Sequence, residues 1–590
     1  MQKLTRYVWL LWLATNSLWA QNPIIHSHND YEQQVPFWNA YAAGARSIEA
    51  DVILKNNTLY VAHAESEIQE TRTMESLYLA PIQKGVAMGM ITEQPLQLLL
   101  DIKTDAKKTL KLLVQTLEKY PSVLAQQQIT YVISGNQPEP KKFKDYPEYV
   151  QFDYQALEPL TDEEWNHVGM ISLNYKRFAG WNGKGRFTKE DLAKVKEVIE
   201  KAHSYHKPFR FWATPDSKSA WKAFTDLGVD YINTDMPFQC VNYVRSLPKR
   251  VYTNTVFSEV YTPTYEYDQT EEAVKNVILL IGDGNGLSEI SAATLANGGE
   301  LTLTQLKSIG FIKTSSSDDF TTDSAAAGTA IAIGQKTYNR AIGVDSLGNA
   351  ATNICEVLQA QNYNTAVIST DEITGATPSA FYAHQKDRGM NQEIAADLYK
   401  SQLTLFAAGG RKYFQEPLPF TIVDTPEAIA NTTAKHVGYF MAEGGVPSVL
   451  NGRGEAFPDV VANSLVYLGK QEQPFFAMIE GAQIDTHGHF NDVSGIVAEG
   501  IDFDKAITKA IQFADTHPGT LIIVTADHET SGFSIPQGNL ENHVIEGDFT
   551  THDHTATMVP VFAYGPHSQD FMGVYENNEI YHKILKLLNL

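Results

Sequence analysis

The chain of 590 residues has 43% hydrophobic and 19% charged residues and a formal charge of −23. Its length exceeds what one hydrophobic core supports, so two domains are expected, each with the composition of an ordinary globular fold. The acidic balance argues against a nucleic-acid backbone as a partner, because that binding rests on clustered lysine and arginine.

The opening MQKLTRYVWLLWLATNSLWA places Lys3 and Arg6 ahead of an apolar run from Tyr7 to Ala14 and a small residue at Ala20. This is the pattern of a signal peptide over 1–20, and it predicts a mature protein that is secreted or periplasmic. The run is short for a membrane anchor, which is the alternative, and no later segment is long and apolar enough to span a bilayer. Cys240 and Cys355 are the only cysteines and fall in different halves, so the fold is expected to rest on its cores rather than on disulfides.

From Ile24 to about Pro237, eight short apolar runs alternate with helical, charged stretches: IIH, SIEADV, LQLLLDI, ITYVIS, YVQFD, VGMISL, FRFWA and DYINTD. That grammar predicts a TIM-type (β/α)8 barrel over 21–240. Glu49 and Asp51 are two apart and share one face of their strand, and Asp101 with Lys103 repeats the spacing. Glu49, Asp51 and Asp101 at the carboxyl ends of barrel strands suit one hard cation, calcium or magnesium. Two histidines suit general acid and base across a phosphodiester, the first at His26 or His28 with His26 preferred, the second at His63. Lys103 suits neutralisation of phosphate charge.

These stretches, with FRFWATP around Trp212 and the closing VDYINTD, resemble the glycerophosphodiester phosphodiesterase and phosphatidylinositol-specific phospholipase C-like superfamily. LDIKT also resembles sphingomyelinase D. HSHND stands where glycerophosphodiester phosphodiesterases carry His-Arg-Gly, so the glycerol-specific subfamily is not implied. The resemblance implies cleavage of small phosphodiesters, membrane lipid headgroups among them, by water or through a cyclic product. A barrel that only binds such headgroups is the alternative.

Residues 241–272 are rich in Tyr, Thr and polar side chains without periodicity and read as a linker. From 273 to 590 the runs NVILLI, TAVIS, FFAMI, LIIVT and VPVFAYG predict strands buried on both faces, hence a mostly parallel sheet between helices. The stretch from about Tyr413 to Leu468 is less regular and reads as a cap over the site. Open α/β sheets gather ligands at the carboxyl ends of their strands, and here those ends carry polar chemistry. NVILLIGDG yields Asp283, FFAMIEGAQIDTHGH yields Glu480, Asp485 and His489, LIIVTADHE yields Asp527 and His528, and His554 precedes VPVFAYG. Acids and imidazoles so concentrated call for cations: mixed His and Asp donors suit zinc, carboxylate and hydroxyl donors magnesium. In TTDSAAAGTA, Ser324 stands ahead of a run of the smallest side chains, where a nucleophile is left bare at a helix N-terminus that stabilises negative charge. Arg388 suits a bidentate grip on phosphate.

IGDG, TDSAAAGTA, ATP (Ala376 to Pro378), EGAQIDTHGH, TADHE and the pair His554-Thr555 stand in the order of the alkaline phosphatase family, which the region from about Lys275 to the C-terminus resembles. The resemblance implies a three-layer α/β/α domain and phosphomonoester hydrolysis through a phosphoserine at Ser324, with phosphate held by Arg388. It implies one zinc among Asp283, Ser324, Asp527 and His528, a second among Asp485, His489 and His554, and a magnesium among Asp283, Thr377 and Glu480. Gly375 stands where the family has an Asp or His near the third ion, Thr486 where many members have a Lys or His, and Asn285 where a Met is usual. Homodimerisation is common in that family. The combined expectation is a bifunctional phosphoesterase whose barrel feeds monoesters to the second domain. Transfer of phosphate to an acceptor alcohol is a further alternative.

Overall fold

Eight strands of the first unit pair in parallel in a closed ring. In spatial order they are Ile24–Ser27, Tyr231–Thr234, Phe209–Trp212, Val168–Asn174, Val150–Tyr154, Ile129–Gly135, Leu96–Ile102 and Ser47–Lys55, and the pairing of His26 with Ser47 closes the ring. This is the expected TIM-type barrel, built from the eight apolar runs. The computed structural model describes residues 23–415 and 417–590, so the signal peptide expected over 1–20 lies outside the described residues. A short strand, Thr58–Val61, folds back antiparallel on Ser47–Lys55 and leads into His63.

Leu99, Val132, Met170 and Tyr231 pack together as one small cluster inside this ring. The two-residue period of a strand then turns Asp101, two beyond Leu99, to the same inner face, and Asp51 stands opposite it in register. The outer helices follow from spacing and caps. Ala106–Leu117 is started by Asp105, whose side chain accepts from the Lys108 amide at 2.9 Å, and it buries Leu110, Leu113 and Leu117 at helical intervals.

The chain divides into two units at Leu247 and Pro248. The stretch read as a linker begins as the end of a helix, Pro237–Arg250, which buries Val241 and Val244 on one face. Val251–Thr253 then pairs antiparallel with Val544–Asp548. The remainder lacks an apolar period because polar side chains hold it: Ser258 Oγ donates to Asp504 at 2.9 Å and the Tyr261 hydroxyl to Asp515 at 2.7 Å.

The second unit is built on a ten-stranded sheet. Its central strands are Asn364–Glu372, Phe475–Gly481, Asn276–Gly282 and Thr520–Ala526, all parallel, and Val559–Tyr564 runs antiparallel to its neighbours. Asn276–Gly282 sends Ile278 and Leu280 into one apolar core and Val277, Leu279 and Ile281 into another, so the sheet is covered on both faces in three layers. The expected cap from Tyr413 to Leu468 is corrected. It supplies the two outermost strands at one side of the sheet, Val437–Phe440 and beyond it the edge strand Thr421–Val423, and the helix Ala456–Gly469, whose Val460, Val461, Leu465 and Leu468 join the core. Strands of three and four residues are too short to show a period. Both cysteines are buried and free, and among the described residues no helix is long and apolar enough to cross a membrane.

Candidate active sites of the two units

Adjacent strands of the second unit release their terminal residues at one edge of the sheet. Asn276–Gly282 leads into Asp283, flanked on one side by the strand carrying Glu480 and on the other by the strand leading into Asp527 and His528. The helix Gln483–His489 sets Asp485 and His489 one turn apart, and pairing of Glu529–Thr530 with His554–Thr555 brings in His554.

Ser324 is the first residue of the helix Ser324–Ile333, and the serine is only 3% exposed. The bare serine expected from the small side chains is therefore corrected. Those side chains let the helix pack tightly instead: a Cβ added at Gly328 would lie 3.3 Å from the Thr377 Cα. Ser324 Oγ lies 3.3 Å from His528 Nε2.

The imidazoles are aimed by their far nitrogens. His489 Nδ1 lies 2.6 Å from the His552 carbonyl and His554 Nδ1 2.8 Å from the Thr322 carbonyl. A carbonyl only accepts, so each Nδ1 carries a proton, and in the neutral ring that a cation would select each Nε2 presents a lone pair. These two Nε2 atoms are 3.1 Å apart and lie 3.3 and 3.4 Å from the Asp485 carboxylate. Facing lone pairs beside a carboxylate are the donor set of a cation, with the carbonyls as its outer support.

Donor atoms of Asp485, His489 and His554 lie within 4.8 Å of one another, and so do those of Asp283, Asp485 and His528. Asp527 stands next to the second trio, 3.2 Å from His528 Nε2. Asp283 Oδ1, Asp527 Oδ2 and Thr377 Oγ1 are buried without a hydrogen-bond partner. Burial, with Asp527, Asp485 and Glu480 nearby, pushes the Asp283 acid well above the usual carboxylate range, and burial with Asp371 does the same to Glu480. Mixed nitrogen and oxygen donors with this mutual repulsion fit zinc, and the hydroxyl and carboxylates of Thr377, Glu480 and Asp283 fit a harder ion.

Two residues here escaped the sequence reading. Asp323 caps the Ser324 helix, its Oδ1 accepting from the Ala326 and Arg340 amides at 2.9 and 3.0 Å, and its Oδ2 lies 3.2 Å from Arg388 Nη1. An Asp immediately before a helical run is the signal that would have found it. Thr530 donates to Asp485 at 2.5 Å and lies 3.2 Å from His528 Nδ1. His384 and His487 are held away from the cluster by Glu356 and Asp492 respectively.

In the first unit, a cleft of about 460 Å3 at the barrel mouth is lined by His28, Glu49, His63, Asp101, Lys103, Arg210 and Trp212, among others. His26 is corrected: it is wholly buried, with Nδ1 on Ser47 and Nε2 on Glu49, each at 2.7 Å. Burial and the Arg210 charge push it down to about 3, so it stays neutral and has no nitrogen left for substrate. His28 faces the cleft instead, its Nδ1 2.7 Å from Asp235, and opposite Asp235 and Glu49 more than offset the effect of burial and raise it. His63 Nδ1 is 2.9 Å from Asp51, and Lys103 Nζ lies 3.0 Å from Asp51 and 2.9 Å from Asp101.

Oxygens of Glu49, Asp51 and Asp101 lie within 4.8 Å of one another, and Asp51 Oδ1 and Asp101 Oδ1 are buried without partners. That oxygen set fits a hard cation. Arg210, which the sequence reading passed over, is buried in the floor and donates to Glu49 at 2.8 Å. An arginine between the two buried aromatics of FRFW was its signal, because a charge on the inner face of a strand needs a partner.

A family model described as alkaline phosphatase matches residues 274–417, 422–545 and 539–590. Models described as an AIM6-like phosphodiesterase domain and as the glycerophosphoryl diester phosphodiesterase family match 20–137 and 208–237. The chain is similar to alkaline phosphatase 4 of Bacillus subtilis (strain 168), 29% identical over 426 residues, covering 55% of this chain and 92% of the relative. Among solved structures it is similar to alkaline phosphatase from the Antarctic bacterium TAB5, 42% identical with a TM-score of 0.51, covering 54% of this chain and 99% of that one. A variant of that enzyme with magnesium bound in its M3 site gives 41% identity, the same coverage and the same TM-score.

Proposed function

The chain belongs to the alkaline phosphatase family, and from that premise we propose that its second unit hydrolyses phosphomonoesters with Ser324 as nucleophile while its barrel cleaves phosphodiesters, the two acting in series. The observation that carries the reading is Ser324 Oγ at 3.3 Å from His528 Nε2, at the edge of a buried cluster of acids and aimed imidazoles. Asp283, Asp527 and His528 would hold one zinc beside Ser324, and Asp485, His489 and His554 the second, with Asp283, Thr377 and Glu480 turned toward a magnesium. Such ions supply, when bound, Lewis acidity and a lowered hydroxyl pKa.

The chain's own groups do the rest. Ser324 Oγ attacks phosphorus, the alcohol leaves with the bond's electron pair, and phosphate stays as an ester on the serine. The first amides of the Ser324 helix face the developing charge. Arg388 offers two parallel N–H groups to the phosphate oxygens, its direction set by Asp323. Water then attacks the same phosphorus, the serine oxygen leaves, and inorganic phosphate is released. A quench in acid after reaction with a radiolabelled monoester is expected to leave the label on the peptide containing Ser324. A peptide without added phosphate would reject the covalent route.

In the barrel, His28 and His63 serve as acid and base, oriented by Asp235 and Asp51. Glu49, Asp51 and Asp101 would hold one calcium or magnesium, and Lys103 and Arg210 bring positive charge to the cleft. Small phosphodiesters, lipid headgroup diesters included, are its substrates, and tethering keeps the monoester product near the second unit. Export by way of residues 1–20 belongs to the same reading. Gly135, at φ +68°, leaves the space Asp101 uses: an added Cβ would sit 1.8 Å from Asp101 Oδ1. Gly135→Ala is therefore expected to lower diester turnover about 100-fold and to leave monoester turnover unchanged, which parallel assays of the two activities check.

A further inference from the structure

Position 375 lacks a side chain next to the oxygen donors Thr377 and Glu480, yet the space is filled. A Cβ added at Gly375 would lie 2.0 Å from Asp371 Oδ2 and 2.8 Å from its Cγ. Asp371 therefore has its carboxylate where a side chain at 375 would begin. The strand explains how it gets there. Ser369, in Asn364–Glu372, stands opposite Glu480 in register and donates to its carboxylate. Asp371 is two residues further on, where the strand departs from regular pairing with Leu405–Gly409, and its amide donates to Ser369 Oγ at 2.8 Å, which holds the two residues together. The next acid, Glu372, is engaged elsewhere, paired with Lys412.

Two residues beyond position 375, Thr377 is 1% exposed and its Oγ1 makes no well-formed hydrogen bond. A buried hydroxyl left unpaired beside carboxylates costs free energy unless something accepts it or coordinates it.

We infer that Asp371 supplies, from the neighbouring strand, the carboxylate that position 375 does not, and completes with Thr377 and Glu480 an oxygen site for one hard divalent cation such as magnesium. The inference rests on the phosphatase reading of the second unit. Carboxylate and hydroxyl oxygens without imidazole select magnesium over zinc, so the site differs in kind from the two histidine-containing clusters. It also makes positions 371 and 375 interdependent: a carboxylate introduced at 375 needs the room that Asp371 occupies.

The test uses the full chain, stripped of metal and reloaded with zinc and magnesium, with both elements counted per chain and magnesium affinity measured by titration calorimetry; every protein in the comparison carries Asp101→Asn, which disables the barrel's oxygen set so that magnesium held there is not counted. The otherwise wild-type chain is expected to hold zinc in both histidine clusters and magnesium in addition. Asp371→Asn is expected to weaken magnesium binding about tenfold or more with zinc content unchanged, and Glu372→Gln to leave both alone. Asp371→Ala combined with Gly375→Asp is expected to recover magnesium binding. Unchanged magnesium affinity in Asp371→Asn, or a wild-type chain that holds zinc but no magnesium, would overturn the inference and leave the phosphatase reading standing. A wild-type chain that holds no zinc would overturn that reading and this inference with it. Should Asp371→Asn lose zinc as well, the combined variant decides: recovery of magnesium supports the assignment and its absence overturns it.

Discussion

Ser324→Ala is expected to lower phosphomonoester hydrolysis by about 1,000-fold or more while leaving diester cleavage at the wild-type rate, because removal of a covalent nucleophile ends the route through the serine ester. The structure makes this a clean substitution. Ser324 is followed by three alanines in a fully buried helix, the methyl group fits the same packing, and the Asp323 cap on the Ala326 amide does not involve the serine side chain. Zinc content is expected to stay near the wild-type value, since Asp283, Asp527 and His528 remain. The measurement is steady-state phosphate release from a monoester, set beside disappearance of a diester in the same preparation. Parallel loss of both activities would contradict a division of labour between the units.

The second large effect is expected in the barrel, at His28 and His63. Either residue changed to Ala should cut diester turnover by roughly 100- to 10,000-fold, the range for loss of a general acid or base, with monoester turnover unchanged. His26→Ala is expected to act differently. Its ring is fixed by Ser47 and Glu49 in the barrel floor, so its loss removes one buried hydrogen bond from each of them and leaves a cavity, while Ser47 keeps Gln97 and Glu49 keeps Arg210. A lowered melting temperature is the expected readout there, in contrast to His63→Ala, whose side chain is largely solvent-exposed and should leave stability near wild type. A His28→Ala barrel that still turned over diesters at the wild-type rate would remove His28 from the proposed chemistry.

The contrast between His26 and His28 shows where sequence reasoning stops. The two-residue period puts both on the inner face of their strand, and no property of IIHSHND says which of them opens to solvent. That is decided by ring closure, which sets His26 opposite Ser47 and so leaves His28 at the level of Glu49, where the cleft begins. Strands buried on both faces were legible as apolar runs, which is why the barrel's eight strands and the second unit's central strands could be read directly. Thr421–Val423 at the sheet edge and Val437–Phe440 beside it were not, because three or four residues are too few to show a period. The Ser324 helix was legible as a helix start, whereas its depth was not, since small residues permit either an open surface or a tightly packed interior. Asp371 was the least legible, because its position depends on an absent side chain four residues later and on register with a strand more than one hundred residues away.

The division of labour is tested most directly by following Ser324→Ala by phosphorus NMR on a mixture of deacylated phospholipid headgroup diesters, with zinc, magnesium and calcium present. The account predicts that diester signals fall and that a phosphomonoester or cyclic phosphate signal accumulates without conversion to inorganic phosphate, which the wild-type chain would release. Diester signals that persist unchanged for both proteins would contradict a catalytic barrel, and inorganic phosphate appearing at the wild-type rate from Ser324→Ala would contradict the serine route.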